Sequence, residues 1–155
     1  MKIFILTVSD RASSGEYEDR SGPAVEAILK EQIKDAVTSR AIVPDEPQQI
    51  IKAFESNLES DVILTTGGTG IGPRDVTPDI TEQFCDRLVP GIGEYLRAQS
   101  LQETSSAVFY RQTAGVKGKT LIINLPGSVR GAEFCTQKLT PVIEHGVKMM
   151  HGGGH

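Results

Sequence analysis

At 155 residues, with 38% hydrophobic and 23% charged side chains, the chain has the length and composition of one globular domain with room for a core. A net charge of −4 argues against broad electrostatic binding of nucleic acid, which needs a basic face, and no apolar run approaches the roughly 20 residues that cross a bilayer. Neither fact excludes a small anionic ligand, because backbone N–H groups can supply local positive potential. Cys85 and Cys135 lack CxxC spacing and read as structural thiols in a reducing environment. The opening KIFILTV is too short and too soon polar for a secretory signal, so the expected compartment is the cytoplasm.

In chain order, residues 2–8 read as a buried strand, followed by a helix over 21–34 with Val25, Ile28, Leu29 and Ile33 at helical spacing. Residues 38–43 form a second strand, and 47–58 a helix carrying Ile50, Ile51, Phe54 and Leu58. Residues 61–65 are almost wholly apolar, as suits a strand covered on both faces. Helices over 78–88 and 91–103 follow, each cysteine being assigned to a helix. Residues 112–118 are extended, 119–124 form the strongest strand, and a last helix runs over about 131–149. The expected organisation is one domain over 1–150 and a flexible tail over 151–155; His145, His151 and His155, in or after the last helix, make only a weak metal site beside a frayed glycine-rich tail.

This alternation predicts an α/β fold with a mostly parallel, doubly wound sheet. Ligands in such folds bind beyond the carboxyl ends of the strands. The polar loops at 9–15, 44–46, 66–75 and 125–128 all follow strands and would converge on that edge.

The loop TTGGTGIGPRD places Thr66, Gly67, Gly68, Thr69 and Gly70 ahead of Arg74 and Asp75. A glycine-rich turn after a buried strand presents successive N–H groups to phosphate oxygens, and threonine hydroxyls add donors. It is not a P-loop, because Pro73 and Arg74 stand where Lys and Ser or Thr are required. Nor is it the dinucleotide fingerprint, which belongs after the first strand. If Thr77 caps the next helix ahead of Pro78, Asp75 is free to face the cleft and hold Mg²⁺ with substrate phosphates. Arg74 binds phosphate or pairs with a surface acid. On spacing alone Asp45, in PDEP, is a helix cap; the alternative is a second carboxylate opposite Asp75. Pro126, Gly127 and Ser128 form a polar turn after the strongest strand, and Ser9 and Asp10 reach the same edge after the first.

Together, SDRASSGEYEDRSGP, TTGGTGIGPRDVTP and TLIINLPGS resemble the molybdenum-cofactor biosynthesis proteins of the MogA/MoaB type, a group that includes the G domain of gephyrin. SDRASSG is more similar to the MogA branch. The resemblance covers nearly the whole chain and implies a three-layer α/β sandwich with helices on both faces, commonly a homotrimer. It implies molybdopterin adenylyltransferase activity: AMP passes from Mg-ATP to the terminal phosphate of molybdopterin, releasing pyrophosphate ahead of molybdate insertion by a downstream protein. By the same resemblance Asp45 and Asp75 become the catalytic acids, with Asp75 on Mg²⁺. Residues 66–70 become the loop that binds nucleotide and pterin phosphates, and residues 126–128 a second binding loop. Tyr110 departs from a small residue common in the family, and Val129-Arg130 from a common proline. The rival reading is a non-catalytic molybdopterin carrier on the same fold; nucleotide hydrolysis lacks a candidate base.

Overall fold

The computed structural model describes residues 1–153; His155, the last histidine of the expected tail, lies outside them. Among the described residues six strands form one sheet: β1 (Lys2–Val8), β2 (Val37–Val43), β3 (Val62–Thr66), β4 (Arg87–Leu88), β5 (Ala114–Lys117) and β6 (Thr120–Leu125). Their spatial order is β2-β1-β3-β6-β5-β4. The four strands from β2 to β6 pair in parallel, while β5 and β4 run antiparallel at the other edge. The α-helices of these residues are α1 (Asp10–Ser13), α2 (Ser21–Gln32), α3 (Pro47–Glu55), α4 (Thr77–Phe84), α5 (Pro90–Ser100) and α6 (Val129–Met150).

The strand pattern dictates two cores. Alternate residues of a strand face opposite sides, so Ile3, Ile5, Val62, Leu64, Leu121 and Ile123 pack beneath α2, α5 and α6. Phe4, Leu6, Val8, Ile63 and Ile122 pack on the other side against Ile50 and Phe54 of α3 and Ile80 of α4. Every residue of β3 and β6 is buried, which is why both read as continuous apolar runs. Each aliphatic side chain so enclosed contributes about 1.5–3 kcal/mol. The result is a mostly parallel α/β sheet with helices on both faces, as the alternation predicts.

Three local readings need correction. The helix expected over 78–88 ends at Phe84; Arg87 and Leu88 instead form the edge strand β4 against β5. Cys85 therefore sits in extended backbone at the end of α4, and its half-buried thiol is pushed up to about 11 by burial; Cys135 is fully buried in α6. Thr77 does not cap α4: it is the first helical residue, and the capping position falls on Val76, with no side-chain hydrogen bond. The loop expected over 9–15 contains the single turn α1, capped by the Ser9 hydroxyl, which accepts from the Ala12 N–H.

The end of α6 meets the start of β1 through Asp61. His151 Nε2 lies 3.1 Å from Asp61 Oδ1, and Asp61 Oδ2 accepts from the Lys2 N–H at 2.7 Å. Within α6, Pro141 supplies no N–H to the Gln137 carbonyl, which instead accepts from the Thr140 hydroxyl at 3.2 Å.

Helix α5 contains two glycines with opposite surroundings. A Cβ on Gly91 would meet nothing within 4 Å, whereas one on Gly93 would stand 2.3 Å from the Gln112 carbonyl oxygen. Gly91→Ala is therefore expected to stabilise the fold by about 0.5 kcal/mol through helix propensity. Gly93→Ala is expected to destabilise it by about 1–3 kcal/mol, since neither backbone can yield. Urea denaturation of the two variants measures the sign of each change.

Candidate functional site

The chain arrives at the carboxyl edge of the sheet from β1, β2, β3 and β6. Helix α2 returns from β1 on one face, and α4 leaves β3 on the other. That divergence opens a crevice between β1 and β3, where doubly wound sheets bind ligands. A cleft of about 260 Å³ lies there, lined by Thr7, Ser9, Asp45, Thr66, Gly67, Gly68, Asp75 and Gly127 among others.

The cleft floor is backbone packed on backbone. Gly67 has φ +97, and a Cβ there would stand 2.2 Å from the Val8 carbonyl oxygen. Its N–H donates to the Leu125 carbonyl at 3.3 Å, and a Cβ on Gly127 would come within 3.1 Å of the Gly67 Cα. Gly68, with φ +63, leaves room for two oxygens that a side chain would strike: Thr77 Oγ1 at 2.3 Å and Asp45 Oδ1 at 3.0 Å. The Thr77 hydroxyl is buried behind Gly68 with no hydrogen-bond partner among the described residues.

Side chains close one wall. The Thr7 hydroxyl donates to Asp19 Oδ2 at 2.7 Å, and Asp19 Oδ1 accepts from the Ser21 hydroxyl and the Gly22 N–H, each at 3.1 Å. Ser21 and Thr66 hydroxyls meet at 2.8 Å. Asp19 thus satisfies the start of α2 and fixes two hydroxyls in the cleft. Thr7 and Tyr17 line the cleft as well, although sequence reasoning passes over both. The one signal for Thr7 is a hydroxyl in an otherwise apolar strand.

The acids are distributed as follows. Asp45 Oδ2 accepts from the Asp10 N–H at 2.8 Å, and Asp10 Oδ1 accepts in return from the Asp45 N–H at 3.0 Å. This reciprocal pair staples the loop after β2 to α1; Asp45 does not cap α3, whose start has no side-chain cap. Arg74 grips Asp10 through Nε at 3.0 Å and Nη2 at 2.9 Å, and reaches Glu46 at 2.8 Å. Of the two roles open to Arg74, ion pairing is the one present. Its bonds hold the Asp10 carboxyl below its ordinary pKa, assisted by the Asp45 N–H. Asp45 moves the opposite way. Burial pushes its pKa up, repulsion from Asp10 and Asp75 adds to this, and the Asp10 N–H and the Arg74 charge oppose it. Asp75 faces the cleft while its Oδ2 accepts from the Gly72 N–H at 2.8 Å.

Other residues singled out in the sequence lie outside the cleft lining. Thr69 is buried and its carbonyl accepts from the Arg111 N–H, while the Gly70 carbonyl accepts from the Arg111 side chain. Pro126 packs on Gly131, and Ser128 caps α6 by accepting from the Gly131 N–H at 3.2 Å. Ser128 and Tyr110 line a neighbouring cavity of about 250 Å³ with Phe134 and Arg130, so Tyr110 does not narrow the cleft between the acids.

A cleft that offers a left-handed glycine turn, fixed hydroxyls, the Arg74 side chain and two carboxylates that form no salt bridge among the described residues suits a phosphate-bearing ligand accompanied by a divalent cation. Residues 4–145 match the protein family described as "Probable molybdopterin binding domain". A molybdopterin adenylyltransferase of Helicobacter pylori (strain 26695) is 40% identical over 154 residues, covering 97% of this chain and 88% of its own length. Its counterpart from Escherichia coli K12 is 35% identical over 159 residues, covering 95% and 80% respectively. The crystal structure of a molybdopterin biosynthesis enzyme MoaB from Thermus thermophilus superposes with a TM-score of 0.88 at 40% identity, covering 97% of this chain and 96% of its own. The chain belongs to the MogA/MoaB-type family of molybdenum-cofactor biosynthesis proteins.

Proposed function

We infer that the protein is a molybdopterin adenylyltransferase, acting with Mg-ATP. The observation that carries this reading is the cleft itself, in which Asp45 and Asp75 lie against one glycine turn at the carboxyl edge of the sheet. In the reaction a terminal phosphate oxygen of molybdopterin attacks the α-phosphorus of ATP. One P–O bond forms, the bond to the β-phosphate oxygen breaks, and pyrophosphate leaves with its electron pair. The attacking phosphate is already anionic near neutrality, so the protein need not activate a nucleophile. What remains for it is alignment and charge compensation.

The residues fit Mg²⁺. Their donors are carboxylate oxygens, and no cluster of three metal-ligating side chains exists among the described residues. One or two carboxylates completed by substrate phosphates is the arrangement Mg²⁺ favours. Asp75 and Asp45 would hold it, and the bound ion would neutralise charge on the ATP phosphates and the departing pyrophosphate. The turn at Gly68 would face the phosphate oxygens, while the Gly67 N–H stays on the Leu125 carbonyl and the Ser21 hydroxyl on Asp19, holding Thr66 in the cleft wall. The Thr77 hydroxyl, lacking a partner among the described residues, leaves one hydrogen-bonding group uncommitted behind the turn.

The homotrimer, the cytoplasmic setting and the downstream partner of the family reading are proposed as well. Exposed Leu101, Val108 and Phe109, at 46%, 61% and 57% accessibility, support self-association, and a homotrimer would show three times the chain mass by sedimentation. Two free cysteines support a reducing, cytoplasmic setting, and the product would pass to a downstream molybdate-insertion protein.

Pyrophosphate release from Mg-ATP should require added molybdopterin, and Asp75→Asn should lower it by about 10²–10³-fold. An asparagine oxygen can still accept from the Gly72 N–H, so the variant is expected to keep the wild-type fold and lose only the charge. Molybdopterin binding without pyrophosphate release would make the chain a carrier.

Asp45→Asn tests the electrostatics separately. Because folding raises the Asp45 pKa, the ionised carboxylate is disfavoured in the folded state, and wild-type stability falls as pH rises through that pKa. Without metal, the variant should therefore melt higher than wild type at pH 7, with the gap closing as pH falls through the carboxylate range. Calorimetry across pH measures it.

A further inference from the structure

Arg111 stands just before β5, outside the cleft, yet it reaches into the glycine turn at three places. Its N–H donates to the Thr69 carbonyl at 2.9 Å. Its Nε donates to the Gly70 carbonyl at 2.8 Å, and its Nη2 to the Asp75 carbonyl at 2.6 Å. The fork also grips Asp79, through Nη1 at 3.1 Å and Nη2 at 2.8 Å. The guanidinium therefore ties both ends of the turn to the first residues of α4.

The segment carrying Arg111 is itself fixed from behind. Arg97 of α5 donates to the Gln112 carbonyl at 2.8 Å and to the Tyr110 carbonyl at 3.4 Å. Gly93 lets α5 approach the same Gln112 carbonyl. A rigid strap thus presents a planar fork to a turn rich in flexible residues. In a trans peptide the carbonyl and the following N–H point in opposite directions. Holding the Thr69 and Gly70 carbonyls on Arg111 therefore aims the Gly70 and Ile71 N–H groups away from it. Holding the Asp75 carbonyl fixes the backbone from which the Asp75 carboxylate faces the cleft and meets the Gly72 N–H.

We propose that Arg111 is a positioning residue for Asp75: its fork sets the curvature of the turn and thereby the place of the carboxylate that receives the cation. This rests on the role given to Asp75 above. Lysine cannot substitute, because one ammonium on a flexible stem cannot reach two carbonyls and a bidentate carboxylate in one plane. Asp79 acts in the same unit by holding the fork, so losses at the two positions should not add.

The first test needs no ligand. Amide hydrogen exchange over residues 66–76 should quicken about tenfold or more in Arg111→Lys and Arg111→Ala, while β1 and β3 keep wild-type protection. The second measures pyrophosphate release against Mg²⁺ concentration. Both variants should need about ten- to hundredfold more Mg²⁺ for half-maximal rate, with Asp79→Asn intermediate and no further loss when combined with Arg111→Lys. Exchange over 66–76 at wild-type rates, or full recovery of Mg²⁺ dependence by lysine, would overturn the proposal. If Arg111→Ala fails to fold, Arg111→Lys and Asp79→Asn decide alone. Absence of pyrophosphate release in the wild-type protein would count against adenylyl transfer and leave the exchange result to judge the clamp.

Discussion

The close approach of Gly67 to the Val8 carbonyl is the contact on which the rest of the site depends. With φ +97 and only 2.2 Å between a Cβ position and a carbonyl oxygen, no other residue can end β3 this way. Because the backbones touch, the loops from β1, β3 and β6 meet at one point, and Gly127 can lie against Gly67 in turn. A side chain at either place would part the strand ends and open the floor of the cleft.

Around that contact the charges are sorted by what they can pair with. Asp10 and Glu46 are compensated by Arg74, and Asp79 by Arg111. Asp45 and Asp75 receive backbone N–H groups but form no salt bridge among the described residues, and the Arg74 charge acts on Asp45 only from a distance. Partial burial then works against ionised Asp45, as its raised pKa reflects. A folded protein that leaves two carboxylates of one cleft without an ion pair while pairing those beside them retains some unfavourable repulsion between them. A divalent ion bound with substrate phosphates would relieve it, which is consistent with a site kept for charge stabilisation at some cost in stability.

Much of this is legible in the chain before it folds. Short, largely apolar runs rich in β-branched residues in β3 and β6 suit strands covered on both sides, and proline at the starts of α3, α4 and α5 marks where those helices begin. The glycine cluster announces backbone geometry that other residues cannot adopt. Arg87 and Leu88 are illegible as a strand because a two-residue edge element has no periodicity of its own and exists only by pairing with β5. Thr77 is misread as a cap because serine and threonine favour that position in general, whereas here its hydroxyl is turned beneath Gly68.

Local periodicity and contiguous motifs were enough to set the alternation of strands and helices, the edge at which the polar loops gather, and the family. Which groups share the cleft was left to the folded chain. Asp45 is stapled to Asp10 across 35 residues, Thr66 meets Ser21 across 45, and Arg111 reaches Asp75 across 36. Such pairings leave no mark in local spacing, since they are set by the order in which parallel strands stack and by how closely glycine lets their ends approach.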